Sequence, residues 1–440
     1  MIENRSKKQF NRKVIKTAVA LAGIIIVVFT FALDSLGFGS QGSFGIGQFL
    51  LLIVGIFILL SGLIGRKVFA IYRGIAIILL NTLFVLMFIE LAAIVFARSG
   101  QNYDTETYSL PYYANQEWTE QYFDEAFAAE VFHYEPYVIW KHMPFDGKLM
   151  KLDQDGFRKT PGANCTDEAY TIFAFGGSTM LGWGSPDWGT IPAYLQVKLN
   201  ERLPQDVCVI NFGQSGYVST QSLVALMLEL QDNNVPDLVI FYDGVNEVQA
   251  AYESGQAGKP VNFEQITNRF EQREHPLLSF LKKTRSYALA ENWVISQAQK
   301  QAEEGSLVTD AQLKTGQIEN ISENVATIYL ENYELVGTLS SEYNFDYIFL
   351  LQPHLAVGQK ELTPEEMAIF SKMNPLLISL APKIYQYISD KNIDSVNFAN
   401  LQDVFADTSQ QIWIDAGGHI TPEGNLLIAE EINKLLIERK

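Results

Sequence analysis

The sequence predicts an α/β fold in which a parallel sheet is covered on both faces by helices, with three membrane-spanning helices ahead of it. Three observations predict this. After Asp155-Gly156, short continuous apolar runs alternate with longer helical stretches, the pattern of strands buried on both faces. Before residue 98, three apolar stretches approach the ~17–25 residues that an α-helix needs to cross a bilayer. Charge divides at the same place: residues 1–98 carry 10 Lys/Arg and 3 Asp/Glu, net +7, whereas residues 99–440 carry 22 and 47, net −25.

The apolar stretches are Val14–Leu33, Phe49–Ile64 and Ile75–Ala97. Basic residues set their orientation. Arg5, Lys7, Lys8, Arg12, Lys13 and Lys16 precede the first stretch, and Arg66, Lys67 and Arg73 lie between the second and third. The intervening loop, DSLGFGSQGSFGIG, has no Lys or Arg. The positive-inside rule then places the N-terminus in the cytoplasm and the chain from Arg98 onward outside it. A signal peptide is the alternative for the first stretch, but it is long for one and lacks a clear small-x-small cleavage site. Glu90 falls inside the third stretch, two turns from its end, where a structural role is expected.

Residues 99–150 read as a Tyr-, Phe- and Glu-rich linker that packs on the main domain, which then runs from 151 to 440. Its strands are expected at Tyr170–Phe175, Val207–Phe212, Leu238–Tyr242, Tyr347–Leu351 and Ser395–Phe398. Helices are expected at Ile191–Arg202, Thr220–Gln231, Ser322–Ser341, Pro364–Ser389 and about Pro422–Glu438. The polar segment 249–320 breaks this rhythm and reads as an insertion, a candidate lid. So acidic a domain is a poor partner for a phosphate backbone, which excludes nucleic acid. Cys165 and Cys208 sit in no CxxC or Cys/His cluster, so no metal site is expected. A disulfide is permitted outside the cytoplasm, although two separate thiols, with Cys208 in a buried strand, are the simpler reading.

In an open α/β sheet, ligands bind beyond the carboxyl ends of the strands, so the residues just past each strand end matter most. The first strand ends in FAFGGSTMLG, where two glycines present Ser178. The second leads into NFGQSGY, the third into YDGVNE and the fourth into LQPH; WIDAGGHITPEGN precedes the last helix. Taken alone, each has a plain structural explanation: a helix-capping Ser178 or Thr179, a turn glycine, an Asn bonded to its own backbone. Their order along the chain is what distinguishes them.

In that order the pieces resemble the SGNH (GDSL-like) hydrolases, in the form of their membrane-anchored bacterial members, over about residues 150–440. Ser178 matches the nucleophile block, Gly216 the second-block glycine (Gly213 being a nearby alternative), Asn246 the asparagine and His419 the histidine. LDQDGFR, residues 152–158, is similar to a lead-in of membrane-tethered members. The resemblance implies a flavodoxin-like three-layer α/β/α domain and a serine esterase without metal or cofactor. It implies Ser178 as nucleophile, His419 as base, Asp415 as the orienting acid, and the Ser178 and Gly216 N–H groups with the Asn246 amide as the oxyanion hole. The implied substrates are O-acyl groups of cell-surface glycans or lipids, with acyl transfer or a non-catalytic membrane scaffold as alternatives and membrane proteins as possible partners. Three positions depart from the pattern. Gly177 replaces the Asp of Gly-Asp-Ser, Glu247 follows Asn246 in place of Asp, and Ala416 stands three residues before His419 where the acid is expected. Asp415 stands four before, with Gly417-Gly418 to absorb the extra residue. Trp183, Trp188 and Tyr242 are candidates for stacking on a sugar, though core packing is the commoner role of such residues. His354 reads as a bystander, and His133, His142 and His275 fall in no block.

Overall fold

The computed structural model describes residues 2–32, 46–64, 77–78, 81–82, 84–93, 110–271, 284, 286–287, 290, 315–391 and 396–439. The chain divides into two compact units, Met1–Gly100 with Leu277–Trp293, and Gln101–Pro276 with Val294–Lys440.

In the first unit, helices α1 (Ile2–Ala32) and α2 (Ile46–Ile64) pack antiparallel. Gly23 lies against Leu59, Gly55 against Val27 and Gly62 against Ala20; a Cβ at any of the three would strike the facing helix, so small residues set the close approach. The expected membrane spans find no support here: among the described residues, no helix is long and apolar enough to cross a membrane. At 19 residues, α2 spans about 28 Å at ~1.5 Å per residue, just short of a ~30 Å hydrocarbon layer. The third stretch is described only in part. Glu90 within it accepts from the N–H and hydroxyl of Ser286, at 3.0 and 2.8 Å.

The second unit begins with α3 (Pro111–Ala114) and α4 (Thr119–Ala129), followed by two hairpins: β1 (Phe132–Glu135) with β2 (Ile139–His142), and β3 (Phe145–Asp146) with β4 (Lys151–Leu152). Residues 110–152 are therefore ordered structure. Tyr113, Tyr122, Phe123 and Ala126 are buried with Leu181 and Ile414 in one apolar cluster.

The five-stranded parallel sheet comes next. Its strands are β5 (Tyr170–Gly176), β6 (Val207–Asn211), β7 (Leu238–Asp243), β8 (Asp346–Leu351) and β9 (Phe398–Asn400), in the spatial order β6-β5-β7-β8-β9. That order reverses direction at β5, which makes the gap between its end and that of β7 the natural ligand crevice. The period of two along each strand builds both cores. Ile172, Ala174, Ile240 and Leu350 face α6 (Ile191–Arg202) and the final helix. Phe173, Phe175, Phe241 and Phe349 face the other way, toward α7 (Ser219–Gln231) and the long helix Thr315–Tyr343. Phe175, Phe241 and Phe349 stack in a row across three strands, with centroids 5.4 and 4.5 Å apart.

Beyond β7 come α8 (Val245–Ser254), α9 (Phe263–Glu271), α10 (Thr315–Tyr343), α11 (Pro364–Ser371), α12 (Pro375–Asp390) and α13 (Pro422–Glu438). Three expectations change. The helix expected over 364–389 is two helices, because Asn374 caps a new start by accepting from Leu376 N–H (2.8 Å) with Pro375 behind it. The last strand begins at Phe398, where pairing with Phe349 starts. Cys165 and Cys208 form a disulfide; their Cα atoms, 4.8 Å apart, stand within bridging distance despite a sequence separation of 43. The candidate lid lies largely outside the described residues.

Candidate active site

Ser178 opens α5 (Ser178–Leu181) directly after β5, and the space around the turn explains both glycines before it. A Cβ at Gly176 would run into the Tyr242 carbonyl and Met180. One at Gly177 would run into the Asn246 amide and approach the Tyr217 carbonyl. Asp in place of Gly177 has no room here, because Asn246 fills it.

His419 lies in a loop closed by the Trp413–Ile420 bridge and by the bond from Ile414 N–H to its own carbonyl, 3.1 Å. Thr421 then caps α13, accepting from Gly424 N–H at 3.2 Å. His419 Nε2 is 2.7 Å from Ser178 Oγ, and Nδ1 is 2.6 Å from Asp415 Oδ2. The extra residue between acid and histidine is absorbed by the glycines. Gly418 takes φ +84°, and Asp415 Oδ1 accepts from the N–H groups of Gly417 (2.9 Å) and His419 (3.2 Å). Burial alone would raise the Asp415 carboxyl. His419 and these hydrogen bonds outweigh it and hold the group below the ordinary carboxylate range. This is one side of a cleft of about 360 Å³ lined by Phe127, Glu130, Ser178, Trp183, Ser215 and His419.

The other expected residues are distributed around this relay. Gly216 sits at φ +76° in the loop after β6, next to Ser215. Gly213 packs against the backbone of Met180 and Leu181, beneath the Ser178 turn. Asn246, in the first turn of α8, donates to the Tyr217 carbonyl at 2.7 Å. Glu247 after it accepts from the N–H groups of Ser219 (2.5 Å) and Gly244 (2.8 Å), tying two loops together. Burial raises both Glu247 and the adjacent, fully enclosed Asp243. Of the three stacking candidates, Trp183 lines the cleft, its ring 6.0 Å from that of His419. Tyr242 is core at 1% exposure, and Trp188 packs on Trp118 away from the cleft. His354 is buried, accepts from Ala356 N–H and is pushed down to about 4 by desolvation. His275 lies outside the described residues.

Sequence reasoning missed a cluster at the cleft wall and a buried arginine behind Ser178. In the cluster, Ser215 donates to Glu130 at 2.8 Å, and the fully buried His142 sets Nε2 3.3 Å from the same oxygen. Arg158, also buried, bonds Asp187 (2.9 Å) and the carbonyls of Leu181, Gly182 and Ser185, fixing the chain just beyond Ser178. Only the LDQDGFR similarity hinted at Arg158. Among the described residues, no group of three or more His, Cys, Asp or Glu could hold a metal ion.

No family model and no curated protein matches the chain. Among solved structures it is similar to a lipase from a goat rumen metagenome, at 11% identity over 61% of this chain and 97% of that one, TM-score 0.35. A carbohydrate acetylesterase family member from Sinorhizobium meliloti gives 13%, 60%, 96% and 0.33. A member of the lipolytic protein G-D-S-L family from Veillonella parvula DSM 2008 gives 11%, 60%, 96% and 0.30. Scores this low leave the reading of the site to its own geometry.

Proposed function

We propose that the protein is a serine esterase acting through an acyl-Ser178 intermediate. One observation carries this: His419 bridges Ser178 and Asp415 through opposite ring nitrogens at 2.7 and 2.6 Å. A hydroxyl is a weak nucleophile until a base removes its proton, and His419 Nε2 stands where that proton leaves. Asp415 on Nδ1 fixes the tautomer and steadies the imidazolium. Ser178 Oγ attacks the ester carbonyl carbon as its proton passes to Nε2. Collapse of the tetrahedral adduct breaks the carbon–oxygen bond, and the proton goes to the departing alcohol. Water then repeats the cycle against the acyl group, releasing the acid and restoring Ser178. The N–H groups of Ser178 and Gly216 and the Asn246 amide are the donors for the developing oxyanion.

The site is proposed to work outside the cytoplasm on O-acyl groups of glycans or lipids at the cell surface, anchored through the N-terminal hundred residues. The three apolar stretches and the asymmetry of Lys and Arg around them support that placement. The experiment is release of acetate from acetylated xylan and from 4-nitrophenyl acetate by the full chain. The expected result is release by the wild type and none above background by Ser178→Ala. Release of 4-nitrophenol that rises only when an unacetylated glycan acceptor is supplied, with the acetyl group recovered on the glycan and not as acetate, assigns acyl transfer instead. A wild type with no activity in either arm leaves the non-catalytic scaffold.

A further inference from the structure

The peptide between Ser215 and Gly216 is held by a hairpin from outside the sheet. Trp140 in β2 donates its indole N–H to the Ser215 carbonyl at 2.9 Å. Tyr217 returns its hydroxyl to the Trp140 carbonyl at 2.5 Å, and the two rings meet edge to face at 5.7 Å. From the other flank, Asn246 holds the Tyr217 carbonyl, beside Gly177. The loop 215–217 is thus stretched between the hairpin and the nucleophile turn.

We propose that Trp140 is a positioning residue that keeps the Gly216 N–H aimed at the reacting oxygen, an inference that rests on the esterase reading above. The peptide is planar and trans, so its carbonyl and the N–H after it point in opposite directions. With the Ser215 carbonyl tied to the indole, the Gly216 N–H projects away from the hairpin, and among the described residues it donates to no protein acceptor. The tie is needed because Gly216, at φ +76° and without a Cβ, offers little resistance to a flip of this peptide. A flipped peptide would present a carbonyl where a donor is required. The hairpin is built for the task at a cost. Ile139, β-branched and just before Trp140, adopts φ +78°, and Tyr137 adopts φ +69°, conformations that persist only where the surroundings enforce them. One such enforcing bond is Gln221 to the Val138 carbonyl, 2.8 Å.

The test is Trp140→Phe, which keeps an aromatic ring and removes the donor, assayed on 4-nitrophenyl acetate alongside thermal melting and inhibition by a boronic acid that becomes tetrahedral on adding the serine oxygen. The expected result is a fall in kcat of about tenfold or more with KM changed less than about twofold, and a matching loss of boronate affinity. Tyr217→Phe should lower kcat in the same direction by less, and it carries the test should Trp140→Phe fail to fold. Unchanged kcat and boronate affinity in a folded variant overturn the inference and leave the esterase reading intact. A rise in KM alone also overturns it, since it marks substrate contact. A wild type inactive on the ester removes both.

Discussion

Two histidines near the cleft each meet a serine and a carboxylate, and only one arrangement can move a proton usefully. His419 joins Ser178 and Asp415 through opposite ring nitrogens, at 2.7 and 2.6 Å. His142 sets a single nitrogen, Nε2, against both Ser215 (3.4 Å) and Glu130 (3.3 Å). Its Nδ1 faces the Gln214 amide oxygen at 2.8 Å, an atom that also accepts from His142 N–H and has no proton to exchange. The first sets hydroxyl, imidazole and carboxylate in series, so that the ring can take the proton of Ser178 while Asp415 holds its other nitrogen. The second is a brace, fully buried, that fixes one cleft wall. Residue types alone do not separate them; which nitrogen meets which oxygen does.

The largest expected break in the comparison is at the histidines themselves. His419→Ala should lower kcat/KM by about 10⁴-fold. His142→Ala should leave activity within about tenfold and instead cost ~1–3 kcal/mol of stability by leaving buried partners unsatisfied. Steady-state kinetics with denaturant melts on both variants check this. Equal kinetic losses would erase the distinction.

Next in size is the acid. Asp415→Asn should cut kcat by about 10²-fold or more by losing the favoured tautomer. It should also change the acid stability profile. Because the folded Asp415 lies below its ordinary range, its contribution is present above the unfolded carboxylate pKa and is lost as pH falls through the depressed folded value. The variant should therefore lose less stability across that acid window than the wild type, as read by melts at a series of pH values.

The smallest effect concerns carboxyls of the opposite sign. Asp243 and Glu247 are raised by burial and, for Asp243, by the neighbouring Glu247. Stability from a raised carboxyl is complete below the unfolded pKa and is lost as pH rises toward the folded one. Asp243→Asn should thus flatten the decline in melting temperature from mildly acidic to alkaline pH, with little effect on kcat. An unchanged slope would show that the pair does not titrate in that window.

The legible part of this architecture is the part written in local patterns. Four of the five strands lie where continuous apolar runs place them, since strands buried on both faces need such runs. Ser178, Asn246 and His419 sit beyond strand ends or beside a helix start, which glycine turns and capping residues announce. Asp415 stands one residue farther from His419 than the resemblance implies, and Gly417-Gly418 supply the slack that keeps it a candidate orienter. The rest depends on pairings with no local signature. Glu130 and Ser215 are 85 positions apart, Trp140 and Ser215 are 75, and residues 110–152 show no sustained period, so a folded brace reads as a linker. The Cys165–Cys208 bond was hidden for the same reason: sequence separation says nothing of Cα distance.

The most direct measurement is covalent labelling of the full-length protein with a fluorophosphonate, then peptide mass spectrometry. The relay at His419 predicts a single adduct on Ser178, lost in His419→Ala and kept in His142→Ala. An unlabelled wild type, or an adduct on Ser215, would contradict it.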